Sequence, residues 1–164
     1  MENSIVSNAM KMKIEGHRGG RLDYENTISG FEKAVENGLD SIEFDVWLTS
    51  DKVPIILHGG LNGEVEHNIP DYGIHEDTHI NAISIDAIKS IILPNGDQIP
   101  TLEEVIDTFL GRIKINWEVK EENSEFAFIL LDLLKEKKVK EGFLVSSFNQ
   151  KQLINFNEAL QQDK

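Results

Sequence analysis

Hydrophobic spacing divides the chain into short extended runs and longer helical stripes. Residues 12–16 form a brief run that ends in glycine, which predicts a first strand stopping at His17. Ile28, Phe31, Ala34 and Val35 then recur at helical spacing, between a polar Glu25-Asn26-Thr27 start and an Asn37-Gly38 stop. That pattern predicts a helix over 26–37 with Asn26 or Thr27 as N-cap. The segment SIEFDVWL at 41–48 alternates with period two, placing Ile42, Phe44 and Val46 on one face and Glu43, Asp45 and Trp47 on the other. Residues 53–57 read as another strand, ending at His58 before Gly59-Gly60. The polar, turn-rich stretch 59–83 reads as a long loop. A short helix is expected over 84–92 and a second from Thr101, where Thr101 and Glu104 have the spacing of a capping box. Leu102, Val105, Ile106 and Phe109 form its apolar stripe. A strand over 112–119, a helix over 124–138, a strand over 142–146 and a helix over 149–160 complete the chain.

Strands alternating with helices predict an α/β protein, a parallel sheet with helices outside it. Such folds bind ligands at the C-terminal ends of their strands. His17, Glu43, Asp45, His58 and Glu118 all fall near those ends.

Glu43 and Asp45 are interleaved with Ile42, Phe44 and Val46, a buried pattern, and two buried like charges are costly without a cation. Glu118 repeats the situation in IKINWEVK, with Lys120 on its face two residues on. Three carboxylates on two strands make an all-oxygen site that suits magnesium or calcium better than zinc. His17 and His58 each end a strand, and an imidazole pair can supply one base and one acid near neutrality. Arg18 and Lys120 add cationic groups, the arginine fork being matched to two phosphate oxygens. A metal, two histidines and two cations together describe phosphodiester cleavage.

Composition narrows the partners. The 164 residues suffice for one domain with a sizeable core. A net charge of −13 argues against a nucleic-acid groove or an anionic membrane surface. Cysteine is absent, which excludes disulfides and thiolate chemistry. Residues 1–13 lack the apolar core of a signal peptide, and no run approaches the roughly 18 apolar residues of a membrane span. A soluble, cytoplasmic protein is expected. His67, His75 and His79 lie in the 59–83 stretch; the last two are four apart in HEDTH, but in a polar context that reads as a solvated loop rather than a metal-binding helix.

The motifs resemble those of the glycerophosphodiester phosphodiesterase family. GHRGG is similar to its first histidine motif and YENT to its Pro-Glu-Asn-Thr motif. GLDSIEFDVWLTSDKVPIILHG resembles its metal strand and second histidine, IPTLEEV its downstream helix start, INWEVK its Glu-x-Lys strand, and the SSF at 146–148 the Ser-Phe that ends its next strand. The resemblance implies a TIM-barrel-type (β/α) fold, a divalent cation (magnesium or calcium), a small-molecule phosphodiester substrate and a place in lipid and glycerol metabolism. By position it makes His17 and His58 the catalytic pair, Glu43, Asp45 and Glu118 the metal ligands, and Arg18 and Lys120 the phosphate contacts. The implied reaction is hydrolysis of glycerophosphodiesters to an alcohol and glycerol 3-phosphate. Tyr24 stands where the motif has proline, and Gly59 where an aspartate usually follows the second histidine. A His-Gly at that point is also similar to the sphingomyelinase D enzymes, so a lipid phosphodiesterase of the phospholipase D or sphingomyelinase D type is the alternative enzyme, and a non-catalytic binding module the alternative outside enzymes.

A complete eight-stranded barrel takes about 250 residues. The sequence supplies about five strand–helix units of such a barrel, so residues 1–164 read as a single domain incomplete at its C-terminus. Unfilled barrel interior and open sheet edges then predict self-association, poor solubility, or rescue by a complementing C-terminal segment.

Overall fold

A computed structural model of the chain describes residues 12–20 and 24–162. The N-terminal stretch read for a signal peptide lies, through residue 11, outside the described residues.

The five strands among the described residues are β1 (Glu15–Gly16), β2 (Ser41–Leu48), β3 (Pro54–Ile56), β4 (Lys114–Val119) and β5 (Phe143–Ser146). They form one sheet in the order β1-β2-β4-β5, all parallel, with β3 paired to β2 off that path. The helices are α1 (Ile28–Glu36), α2 (Ile85–Lys89), α3 (Leu102–Phe109), α4 (Phe126–Glu136) and α5 (Gln150–Gln162). Each parallel pair is joined through at least one helix, as a parallel crossover requires.

The strand β3 departs from the parallel expectation: it runs antiparallel to β2, pairing Val46 with Ile56 and Leu48 with Pro54. The link between them is too short for a crossover, which takes a dozen or more residues, so the chain turns back as a hairpin. Four strands therefore carry the parallel sheet, and β3 is an arm beyond the end of β1.

The register decides which side chains share a face. Ile42, Phe44 and Val46 of β2 stand beside Ile115, Trp117 and Val119 of β4, all buried. The helices cover this face. Phe31 of α1 packs on Phe44 at 5.3 Å and edge-on to Phe109 of α3 at 5.8 Å. Phe126 of α4 meets Phe156 of α5 at 6.0 Å. The sequence dictates the helix starts: Thr27 accepts from the Gly30 amide, and Thr101 and Glu104 form the reciprocal capping box. Lys137, at the end of α4, bridges to Glu103 and Asp107 of α3, each at 2.7 Å.

The opposite face is polar. Glu15, Ser41, Glu43, Asp45, Asn116, Glu118 and Ser146 share it by register. Its lower part is a hydrogen-bonded ladder: Ser41 and Asn116 donate to Glu15, and Ser146 donates to Asn116. Leu144 and Phe148, 60% and 95% exposed, are exposed large apolar side chains near this face. The apolar exposure expected for an open barrel interior is thus confined to a few positions, because the interior positions of these strands are mostly polar.

Residues 59–83 are not a simple loop. Bridges between Glu64 and His79 and between Ile69 and Ile74 order them, with single helical turns at Pro70–Tyr72 and Ile80–Ala82. Val65, Ile80, Ile83 and Ile88 pack with Trp47 and Ile55 in a second apolar cluster. No helix among the described residues is long and apolar enough to cross a membrane.

Gly30 offers a sharp check on this packing. Ala for Gly in a helix usually stabilises by about 0.5–1 kcal/mol. Here an added Cβ would collide with the Tyr24 carbonyl oxygen, which is backbone and cannot swing aside. Gly30→Ala is expected to cost about 1–3 kcal/mol in urea unfolding. A stabilised variant would contradict the placement of the 24–27 turn against α1.

Candidate active site

Residue alternation along β2 and β4 brings Glu43, Asp45 and Glu118 to the polar face at the C-terminal end of the sheet. Asp45 and Glu118 are register partners. One carboxylate oxygen from each of the three lies within 4.8 Å of the others. All are buried: Glu43 is 6% exposed, Asp45 0% and Glu118 9%.

The turn after β1 closes one side. His17–Gly19 form a single helical turn in which Arg18 is left-handed, at φ 53°. That conformation is unfavourable for a side chain with a Cβ, and such strain persists only where surroundings fix it. Here the Arg18 amide donates to Glu43 at 3.0 Å, and its guanidinium lies 3.3 Å from Asp45 and 3.2 Å from Glu25. The His17 Nε2 atom is 3.8 Å from Glu43, with the ring itself largely exposed. From the other side Lys120 reaches Glu118 at 2.8 Å and Asp45 at 3.2 Å. Six of the seven residues singled out in the sequence therefore meet in one cluster.

His58, the seventh, does not touch the carboxylates. It lines an adjoining cavity of about 580 Å³ that Lys120 also lines. Its backbone carbonyl accepts from Trp47 Nε1 at 3.1 Å, which fixes the end of the β3 arm against β2. Gly59 beyond it has φ 71°, and a Cβ there would meet Ile80 at 2.8 Å. The glycine that replaces the motif aspartate suits that left-handed backbone.

Asn26 was not recognised as a site residue from sequence. Thr27 is the N-cap, and buried Asn26 turns inward, donating from Nδ2 to Asp45 at 2.9 Å while its Oδ1 accepts from the Asp45 amide at 3.4 Å. Its left-handed φ of 54° is the cost of that orientation. The available signal was its place in YENT beside Glu25, which holds Arg18.

Charge explains what this arrangement can do. Burial pushes the Glu43 carboxyl up; the Arg18 amide opposes this, and the neighbouring charges of Asp45 and Glu118 add to it. Burial alone would lower the Lys120 ammonium, but Glu118 and Asp45 outweigh it and hold it above the usual lysine range. Three carboxylates outnumber the two cations beside them. Asp45 Oδ1 is buried and has the Lys120 ammonium at 3.2 Å as its partner. An all-oxygen donor set with surplus negative charge fits a hard divalent cation.

The fold and this site define a TIM-barrel-type α/β protein with a cation-ready carboxylate triad at the C-terminal ends of its strands. The family model for the glycerophosphoryl diester phosphodiesterase family matches residues 17–161, and the chain belongs to that family. A glycerophosphodiester phosphodiesterase from Caldanaerobacter subterraneus subsp. tengcongensis is 33% identical over 150 residues, covering 85% of this chain and 59% of the relative. The crystal structure of a glycerophosphodiester phosphodiesterase from Parabacteroides distasonis superposes with a TM-score of 0.73 at 27% identity, over 92% of this chain and 62% of that one. An Oleispira antarctica phosphodiesterase, solved with its product sn-glycerol-3-phosphate, shares the fold with a TM-score of 0.78 at 22% identity, over 92% of this chain and 63% of that one. The chain spans about three-fifths of the length of two of its curated relatives, 59% and 62%.

Proposed function

We propose that the chain hydrolyses glycerophosphodiesters to an alcohol and sn-glycerol 3-phosphate, with Glu43, Asp45 and Glu118 holding magnesium or calcium. The observation that carries this reading is the convergence of three buried carboxylates with His17, Arg18 and Lys120 at the ends of β1, β2 and β4. A cation bound there would supply positive charge against the phosphoryl oxygens. Arg18 and Lys120, each held by carboxylates, present fixed donors to the non-bridging oxygens, so little reorganisation is needed as charge develops. His17 and His58 supply the proton traffic. One imidazole takes a proton from the attacking water as its oxygen bonds to phosphorus, and the other delivers a proton to the leaving alkoxide as its phosphorus–oxygen bond breaks. Asn26 is a positioning residue that orients Asp45 through both its backbone and its side chain.

Occupancy of the triad has a stability signature. Glu43 has a folded-state pKa above its unfolded value, so its contribution favours folding at low pH and is lost as pH rises through the raised value. A divalent cation reverses the penalty. At about 100 times its dissociation constant it should add about 2.7 kcal/mol. For a domain of this size that is a rise of about 5–10 °C in melting temperature. The rise should shrink below the Glu43 pKa, where the proton competes. A melt indifferent to magnesium, calcium and manganese alike would remove the metal assignment.

Turnover tests the reaction. The purified chain is expected to release glycerol 3-phosphate from glycerophosphocholine or glycerophosphoglycerol with magnesium or calcium present, and to stop under full chelation. Binding of glycerol phosphate with no hydrolysis would favour a binding module instead.

A further inference from the structure

The turn after β4 buries a carboxyl that takes no part in the proposed chemistry. Residues 120–125 read KEENSE, a polar run with three glutamates. Glu122 and Glu125 are exposed, whereas Glu121 is buried, at 3% exposure. Burying a carboxyl is costly unless hydrogen bonds replace its water. One Glu121 oxygen accepts the amides of Glu122 and Asn123 at 3.0 and 2.9 Å, and the other accepts the Leu48 amide at 3.4 Å. The first two bonds are local to the turn. The third reaches the end of β2, 73 residues away in sequence.

That third bond stands at a particular rung of the ladder. Lys120 continues β4, its amide donating to the Val46 carbonyl at 3.1 Å. The even spacing of a parallel ladder would next turn the Leu48 amide toward the Lys120 carbonyl. The Glu121 side chain takes that amide instead. The backbone therefore leaves the sheet directly after Lys120 while the two strand ends stay tied. From β5, Ser147 donates to the Val119 carbonyl at 2.7 Å. Lys120 thus lies between two anchors, and its ammonium reaches Glu118 and Asp45. Both carboxylates belong to the triad, so a divalent cation there competes with the lysine for them. The Glu121 anchor holds the backbone and stands apart from that competition.

We propose that Glu121 is a positioning residue: by tying the turn after β4 to the end of β2, its carboxyl fixes where the Lys120 ammonium meets the phosphate. The inference rests on the hydrolytic reading for the role of Lys120 as a phosphate contact, but not for turnover. A donor displaced by a fraction of its hydrogen-bond length loses much of its effect on a bound anion, so an anchor one residue away has leverage.

The test is a double-mutant cycle read by calorimetric titration of sn-glycerol 3-phosphate into the intact chain with saturating magnesium. Glu121→Gln keeps the volume but sets an amide nitrogen where one oxygen accepted. Alone, it is expected to weaken glycerol phosphate binding about tenfold, the lower end of what loss of a partner behind a ligand costs. In a Lys120→Met background the same change should weaken it by less than about twofold, because residues that act as one unit do not add. A merely structural role would give the same loss in both backgrounds. Magnesium affinity, titrated alone, should not fall in Glu121→Gln, since the three triad donors are untouched. If Glu121→Gln does not fold, Glu121→Asp, which keeps the carboxyl but shortens its reach to Leu48, carries the same comparison with the same expected outcome. Equal losses in the two backgrounds, no loss in either, or a fall in magnesium affinity would overturn the proposal. Coupled losses in a chain that hydrolyses no diester would leave this proposal standing and remove the hydrolytic reading. Hydrolysis accompanied by uncoupled losses would do the opposite.

Discussion

Replacing His17 or His58 by alanine is expected to slow turnover about 10²–10⁴-fold, the usual worth of a positioned acid or base. The cation-induced rise in melting temperature should survive in both variants, because neither imidazole is among the three carboxylate donors. His17 is largely exposed, so its truncation should leave the fold intact. His58 fixes the arm through its backbone carbonyl, a contact that alanine retains. The two losses should differ in pH dependence. Removing the base flattens the acidic limb of the rate profile, and removing the acid flattens the alkaline limb. Either variant turning over at the unaltered rate would strip that residue of its role.

The second large effect is expected at Asp45. Its carboxylate meets Asn26, Arg18 and Lys120 and belongs to the triad. Asp45→Asn keeps the volume but removes the charge. Cation affinity should fall by at least about 10²-fold, beyond the loss typical of an outer partner of a metal ligand. Stability should fall only modestly, by about 1–3 kcal/mol, for a buried polar group whose partner is lost. Two effects limit that cost. Glu25 still pairs with Arg18 and Glu118 with Lys120, and the Asp45 charge that adds to the burial penalty on the Glu43 carboxyl is removed. Calorimetric titration of magnesium and calcium reads the first quantity, and urea unfolding the second. Unchanged cation affinity would place the metal elsewhere.

Much of this geometry was legible in the residues. Period-two alternation in SIEFDVWL separates Ile42, Phe44 and Val46 from Glu43 and Asp45, and the structure keeps that separation. The capping box at Thr101 and the helical stripe of α3 form as spaced. Other features lacked a periodic signal. Val65, Ile69, Ile74, Ile80 and Ile83 follow neither a strand nor a helix repeat, so their packing under Trp47 could not be read as a core. The direction of β3 depends on the short link to β2 and not on its own composition. Asn26 looked like a cap because Asn and Thr are both good caps, and only the three-dimensional position of Asp45 gives its amide a second use. Barrel interiors are usually filled by apolar side chains, whereas this sheet carries Glu15, Ser41 and Asn116 on that face, a polarity set by register between strands far apart in sequence.

Phosphorus NMR of a glycerophosphodiester incubated with the purified chain and magnesium in oxygen-18-labelled water tests the central claim most directly. The account predicts that the diester resonance gives way to a phosphomonoester carrying one label, since water ends on phosphorus. It also predicts that the conversion stops on chelation and is slowed by Asp45→Asn. A diester resonance that persists unchanged with the triad demonstrably loaded, or label recovered in the released alcohol, would contradict it.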